Sequence, residues 1–234
     1  MTRALADWPM TFFDVESSGV SMRDRIVTAA LVDMTPIEGS TPLFDEKQWL
    51  LDPGIPIPEA ASNIHGITTD RARADGMEYA KGYAEIRRAL DKVAASRVLV
   101  GFNVSFDLGM IHWEGLRLGY PPYEPGYVVD PFVIDRGLDP YRRGKRRLVE
   151  LCEFHKVAQY DAHSAFGDCM AAGRLAYKML RSPGLVNQFE TMAELMVAQK
   201  RWHKQRQLSF IQYLEKQGED ASDVDVHWPI RGVA

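Results

Sequence analysis

Asp14 and Glu16 stand on either side of Val15 in the stretch FFDVESSG, directly behind two phenylalanines. On a strand, alternate side chains project to the same face, so the two carboxylates would stand together. Like charges that close repel at neutral pH unless a cation or a shared proton relieves them. Alone, the pair also fits a strand end where both acids reach solvent. Asp107 opens the segment SFDLGMIHWEGLRLG, just after VLVGFN. A helix N-terminus favours an acid there, so capping is an alternative reading. In HSAFGD, His163 precedes Asp168 by about 1.4 helical turns, which makes the two neighbours without stacking them on one face. A histidine at a helix entrance beside an acid can accept a proton near neutral pH. A surface ion pair would use the same two residues.

Elements that could carry these groups follow from the pattern of the chain. MTFFDV, RIVTAALVDM and KQWLLDP read as opening antiparallel strands, separated by loops rich in Pro, Gly and Ser. The segment PGIPIPEAASNIHGITTDRARADG is punctuated by Pro and Gly and allows short helical turns at most. Tyr79, Tyr83, Ile86 and Leu90 then recur at helical spacing. RVLVGFN reads as a buried strand, the Asp107 segment as a helix ending near Gly119, and GYVVDPF as a short strand. RRLVELCEFHKV and HSAFGDCMAAGRLAYKML read as two helices, the second stopped by SPG. Strands followed by strand–helix alternation predict an α/β domain with a mixed sheet.

The chain has 234 residues, enough for one substantial domain and an appendage. The division expected is a domain over residues 1–182 and a mainly helical extension over 183–234, with Trp202, Phe210, Tyr213 and Trp228 needing burial. With 46% hydrophobic and 26% charged residues the composition is that of a soluble globular protein. No apolar run is long enough to span a bilayer and no leader is visible, so a cytoplasmic location without membrane contact is expected. Cys152 and Cys169 form neither a metal-ligand pair nor a disulfide framework and read as buried thiols. The net charge of −4 argues against gripping duplex DNA by bulk charge, so a nucleic-acid partner would need local patches or bound cations. YRRGKRR, with five positive charges, is one such patch or a solvated loop, and KRWHKQR reads as the solvated face of a packed helix.

Taken in order, D-x-E on a first strand, an acid after GFN and H-x4-D on a late helix form a recurring combination. Together they resemble the DEDDh group of the DnaQ-like 3′–5′ exonucleases, the family of the proofreading epsilon subunit of bacterial DNA polymerase III. The resemblance runs from about Thr11 to Leu180 and includes HGIT at His65–Thr68. It implies an RNase H-like fold: a central mixed five-stranded sheet with antiparallel opening strands and flanking helices. Val15, Ser17, Ser18 and Phe102 depart from the residues usual in that family. None of the four is a metal ligand there.

The resemblance implies a site for two Mg²⁺ or Mn²⁺ ions held by Asp14, Glu16, Asp107 and Asp168. Hard carboxylate oxygens suit such ions, which, about 3.5–4 Å apart, clamp the attacking and leaving oxygens of a phosphodiester. His163 would be the general base, and His65, Gly66, Ile67, Asn103 and Phe106 would contact the terminal nucleotide. Phe106 is equally a core aromatic and His65 a turn residue on the residue pattern alone. The expected activity is metal-dependent release of nucleoside 5′-monophosphates from single-stranded or frayed DNA 3′ ends, in proofreading or repair, with a DNA polymerase as a possible partner. RNA 3′-end trimming is one alternative. A non-catalytic, polymerase-associated nucleic-acid-binding module is another.

Overall fold

Side chains along the first strand alternate between two cores, and that alternation sets the orientation of the acids. The computed structural model describes residues 4–37, 39–159 and 164–233. Its strands are β1 (Met10–Ser17), β2 (Ile26–Thr35), β3 (Leu43–Leu50), β4 (Val98–Val100) and β5 (Tyr127–Val129). Between β3 and β4 lie α1 (Glu59–His65), α2 (Thr69–Asp75) and α3 (Tyr79–Ser96); α4 (Ser105–Arg117) separates β4 from β5. After β5 come α5 (Pro131–Leu138), α6 (Leu148–Phe154), α7 (Ala165–Met179), α8 (Pro183–Val186) and α9 (Met192–Gln217).

The sheet order is β3-β2-β1-β4-β5, with β1–β2 and β2–β3 antiparallel and β1–β4 and β4–β5 parallel. Met10 and Phe12 face a core built with α6 and α7, where Leu151, Cys169, Ala172 and Leu175 are buried. Phe13 and Val15 face the opposite core, with Tyr83, Ile86 and Leu90 of α3 and Leu108 and Ile111 of α4. The parity of Met10 and Phe12 continues through Asp14 and Glu16, so both acids project toward α7.

Several elements differ from the sequence expectation for identifiable reasons. β3 begins at Leu43, upstream of KQWLL, because an edge strand with exposed Leu43 and Phe44 lacks the pattern of a buried strand. The Pro-rich segment holds two complete short helices, α1 and α2. α5 went unread behind GYVVDPF, although Asp130 caps it by accepting the Phe132 N–H and Pro131 opens its first turn. The basic loop is anchored: Arg142 and Arg146 each place a guanidinium nitrogen 2.8 Å from the Asp135 carboxylate. Arg147 pairs with Glu150.

The C-terminal region packs back on the sheet. Leu185, Met192 and Leu195 lie in the same core as Phe12. Gln199 of α9 accepts the Asp130 N–H at 2.8 Å and donates to the Val128 carbonyl at 2.9 Å, clamping the end of β5. Trp228 is buried and Trp202 and Phe210 are half-buried, whereas Tyr213 is exposed. Cys152 and Cys169 are buried free thiols. No helix among the described residues is long and apolar enough to cross a membrane.

Candidate active site

β4 is the short partner of β1. Their pairing stops at Phe12 and Val100, so the second half of β1 runs past it. This leaves the Val15 N–H, which points in the plane of the sheet, with no strand beside it. Asp107, in the first turn of α4, fills the place: its carboxylate accepts the Val15 N–H at 3.0 Å. Asp107 is therefore a bolt between strand and helix as well as an acid beside Asp14 and Glu16. The site lies at the carboxyl ends of β1 and β4, where the connection reverses direction across the sheet, a usual position for a ligand crevice in α/β folds.

The turn leading to α4 is held by a residue the sequence reading did not select. Asp130, buried at the end of β5, accepts the N–H groups of Asn103 at 3.0 Å and Val104 at 3.1 Å. Asn103 has φ 55°, a left-handed conformation that Asn tolerates better than most residues. The Asp130 carboxylate thus fixes the strained corner that aims Asp107 at β1. An acid followed by Pro at a predicted strand end was the available signal, since that pattern marks a helix cap.

On the other face, α7 lies almost against β1. A Cβ added at Gly173 would fall 2.2 Å from the Phe12 ring, so only glycine allows this approach. The close packing brings the first turn of α7, with Asp168, toward Asp14 and Glu16. Ser164 caps the helix by accepting the Gly167 N–H at 2.9 Å. The Gln159 amide donates to the Asp168 carboxylate at 3.2 Å. His163, the expected general base, lies outside the described residues.

Three elements therefore bring four carboxylates within electrostatic reach of one another. Burial, followed by Asp107, Glu16 and Asp168, pushes the Asp14 carboxyl well above the ordinary range. Burial, then Asp168, raises Glu16 to about 7. Asp107 is also raised by burial and by Asp130 and Glu16, against the pull of the Val15 N–H. The cluster holds protons at pH values where isolated carboxylates are ionised, or else needs cationic charge. Its hard oxygen donors fit Mg²⁺ or Mn²⁺. Among the described residues, no three His, Cys, Asp or Glu side chains are already drawn together as a metal-ligand set. Cys169 is not a candidate nucleophile, because burial and Asp14 raise its thiol well above the ordinary value.

Asp14, Glu16, Asp107 and Asp168 line a cleft of about 630 Å³, together with Phe102, Asn103, Phe106 and Phe132 and the basic Arg136, Lys145, Arg146 and Arg147. Phe106 also packs against the α3–α4 core, as a core aromatic would. Phe102 meets Phe132 edge-on at 5.4 Å between centroids. Glu16 is shared with a second recess, of about 500 Å³, lined by His65, Ile67 and Arg71. Gly66 closes α1 at φ 74°, and Ile67 is largely buried against Val27, Ile57 and Ala72. Burial lowers the His65 imidazole below its ordinary value, against the effect of the neighbouring Ser17 backbone. Asn103 and Phe106 thus flank the acids on the Asp107 side, and the His65–Ile67 segment on the Glu16 side. The departures Ser17 and Ser18 serve the next turn, where Ser17 donates to the Gly19 carbonyl and Ser18 accepts the Arg25 N–H at 3.0 Å.

Known proteins are similar to this chain in sequence and in fold. The exonuclease family of RNase T matches residues 11–176. The chain is 27% identical over 194 residues to the PolC-type DNA polymerase III of Lacticaseibacillus paracasei, covering 82% of this chain and 13% of that protein. It is 29% identical over 180 residues to the same polymerase of Listeria monocytogenes, covering 76% and 12%. The chain therefore spans about an eighth of the length of these polymerases. Among solved structures, E. coli Exonuclease I bound to a dA16 oligonucleotide has a TM-score of 0.65 and 24% identity, over 77% of this chain and 42% of that one. Its complex with dT13 has a TM-score of 0.62 and 22% identity, over 75% and 41%.

Proposed function

The chain belongs to the RNase T exonuclease family, and from that premise we propose that its carboxylate cluster hydrolyses the last phosphodiester bond at the 3′ end of single-stranded or frayed DNA. The observation that carries this reading is the convergence of Asp14, Glu16, Asp107 and Asp168 from β1, α4 and α7 on one cleft with a basic rim. Asp14, Glu16 and Asp168 would hold Mg²⁺ or Mn²⁺ with the help of Asp107, and Asp107 also keeps β1 in place through Val15. When bound, such ions polarise the phosphodiester oxygens and stabilise the charge that develops on them.

His163 completes a DEDDh set and takes the proton of the attacking water on an imidazole nitrogen. Water oxygen bonds to phosphorus as the bond from phosphorus to the 3′-oxygen breaks. The products are a nucleoside 5′-monophosphate and a strand shortened by one residue with a free 3′-hydroxyl. Relatives named as DNA polymerases, and a like fold solved on oligodeoxynucleotides, favour DNA and a role beside a polymerase.

The test is incubation of the purified protein with Mg²⁺ or Mn²⁺ and matched 3′-labelled DNA and RNA oligomers. Mononucleotides should appear from DNA, and a blocked 3′ end should prevent their release. No release from either polymer overturns the reading. Preferential release from RNA replaces DNA as the substrate, and internal cuts indicate an endonuclease.

A further inference from the structure

The acid-lined cleft continues into a second cavity of about 320 Å³ between the α4–α5 region and α9. Asn103, Phe106, Phe132 and Arg136 line both, so the two form one path. Arg136 of α5 and Arg206 of α9 both line the second cavity. Each guanidinium lies over an aromatic ring, Arg136 at 4.6 Å from the Phe132 centroid and Arg206 at 5.0 Å from that of Phe210. Among the described residues neither forms an ion pair with a carboxylate, and the buried Arg136 Nε has no hydrogen-bond partner. Arg142 and Arg146, in the loop after α5, are in contrast neutralised by Asp135.

Burial, then Arg206 and Arg146, pushes Arg136 down to about 10 despite the nearby Asp135. Burial, then Arg146, also lowers Arg206. Half-buried guanidinium groups that repel one another are unfavourable unless an anion joins them. Asp223 and Asp225 also line the cavity, and Asp225 is engaged by His227 at 2.5 Å and by the Gly232 N–H. The place for an anion in this cavity is between the Arg136 and Arg206 guanidinium groups of α5 and α9.

We propose that Arg136 and Arg206 form a subsite for a backbone phosphate of single-stranded nucleic acid upstream of the 3′ end, which makes α9 part of the substrate track. The planar guanidinium fork suits phosphate oxygens, and Phe106, Phe132 and Phe210 border the same path, with Phe132 and Phe210 each beneath one of the two guanidinium groups. This subsite rests on the exonuclease reading for its direction, since the 3′ end is the end at the carboxylates.

Binding of 5′-labelled oligodeoxynucleotides of two, four and eight residues, with Ca²⁺ in place of Mg²⁺, tests it in the full chain carrying Arg206→Gln or Arg206→Lys. In the unaltered protein affinity should rise with length. Arg206→Gln should weaken the eight-residue oligomer by about 5–10-fold, flatten the length dependence and reduce the salt slope by about 0.7 for the lost phosphate contact. Arg206→Lys should recover part of the loss, because the charge remains. An unchanged length dependence and salt slope overturn the proposal, and so does an equal loss at every length, which indicates a packing defect. Inorganic phosphate competing with the two-residue and eight-residue oligomers alike, at the same concentration, would assign the pair to a free anion and also overturn the strand track. If these binding results hold while the unaltered protein releases no mononucleotide, the subsite stands and the catalytic reading fails.

Discussion

At one end of the cleft burial and then neighbouring acids raise the carboxyls of Asp14, Glu16 and Asp107, and at the other burial, then Arg206 and Arg146, lowers Arg136. Both ends hold like charges under partial burial, but the chain builds them differently. Two of the acids come from a single strand, and the other two from the first turns of helices aimed at it. Arg136 and Arg206 come from α5 and from the middle of α9, about 70 residues apart in sequence, as their numbers show. Charge concentrated by local geometry suits bond breaking, where atoms must be placed within fractions of an ångström. Charge gathered from distant helices suits holding a flexible strand.

That contrast can be broken by substitution, beginning with the largest effect. His163→Ala should lower the rate of mononucleotide release by about 10²–10⁴-fold, measured under single-turnover conditions; a near-normal rate removes His163 from the base role. Asp14→Asn should lower it by about 10²–10³-fold through lost electrostatic stabilisation, with oligomer affinity in Ca²⁺ changing much less than the rate. Equal losses in rate and affinity would show that the acid end also serves as a grip, and the division between the two ends would fall.

Stability gives a smaller but cleaner contrast. The folded Glu16 value of about 7 lies above the ordinary 4.5. Its favourable contribution is therefore complete below about pH 4.5 and lost as pH rises through about 7, because the folded state binds the extra proton. In chelator, Glu16→Gln should remove part of this fall and stabilise the protein at pH 8 by about 1–3 kcal/mol, read from denaturant midpoints. Added Mg²⁺ should reverse the ranking. Asp130→Ala should cost about 1–3 kcal/mol at the same pH by leaving the Asn103 and Val104 N–H groups unsatisfied. A neutral result would mean that the corner before α4 holds without its clamp.

Much of this arrangement was readable from residue pattern. Phe12 and Phe13 on opposite faces followed from strand alternation, and so did the shared side of Asp14 and Glu16. The order of the acidic motifs pointed to the family that matches residues 11–176. Asp130 was hidden because its role lies in contacts with residues 27 and 26 positions earlier. A carboxylate accepting backbone N–H groups leaves no periodic trace. Arg206 was hidden for a related reason: within KRWHKQR nothing distinguishes the one guanidinium turned into a cavity from its exposed neighbours Lys200, Arg201 and Lys204. α5 lay behind a strand of three residues, too short to show where extended chain gives way to helix.

The bridge from Gln199 to the end of β5 also provides an internal gauge. The Asp130 amide proton is protected by a side chain of α9 and not by a neighbouring strand, while the carboxylate of the same residue secures the turn before α4. Its hydrogen–deuterium exchange rate therefore reports how often α9 lifts from the sheet, without any substrate or turnover. Following that one amide while oligomers of increasing length are added would show directly whether a strand reaching α9 holds the helix down.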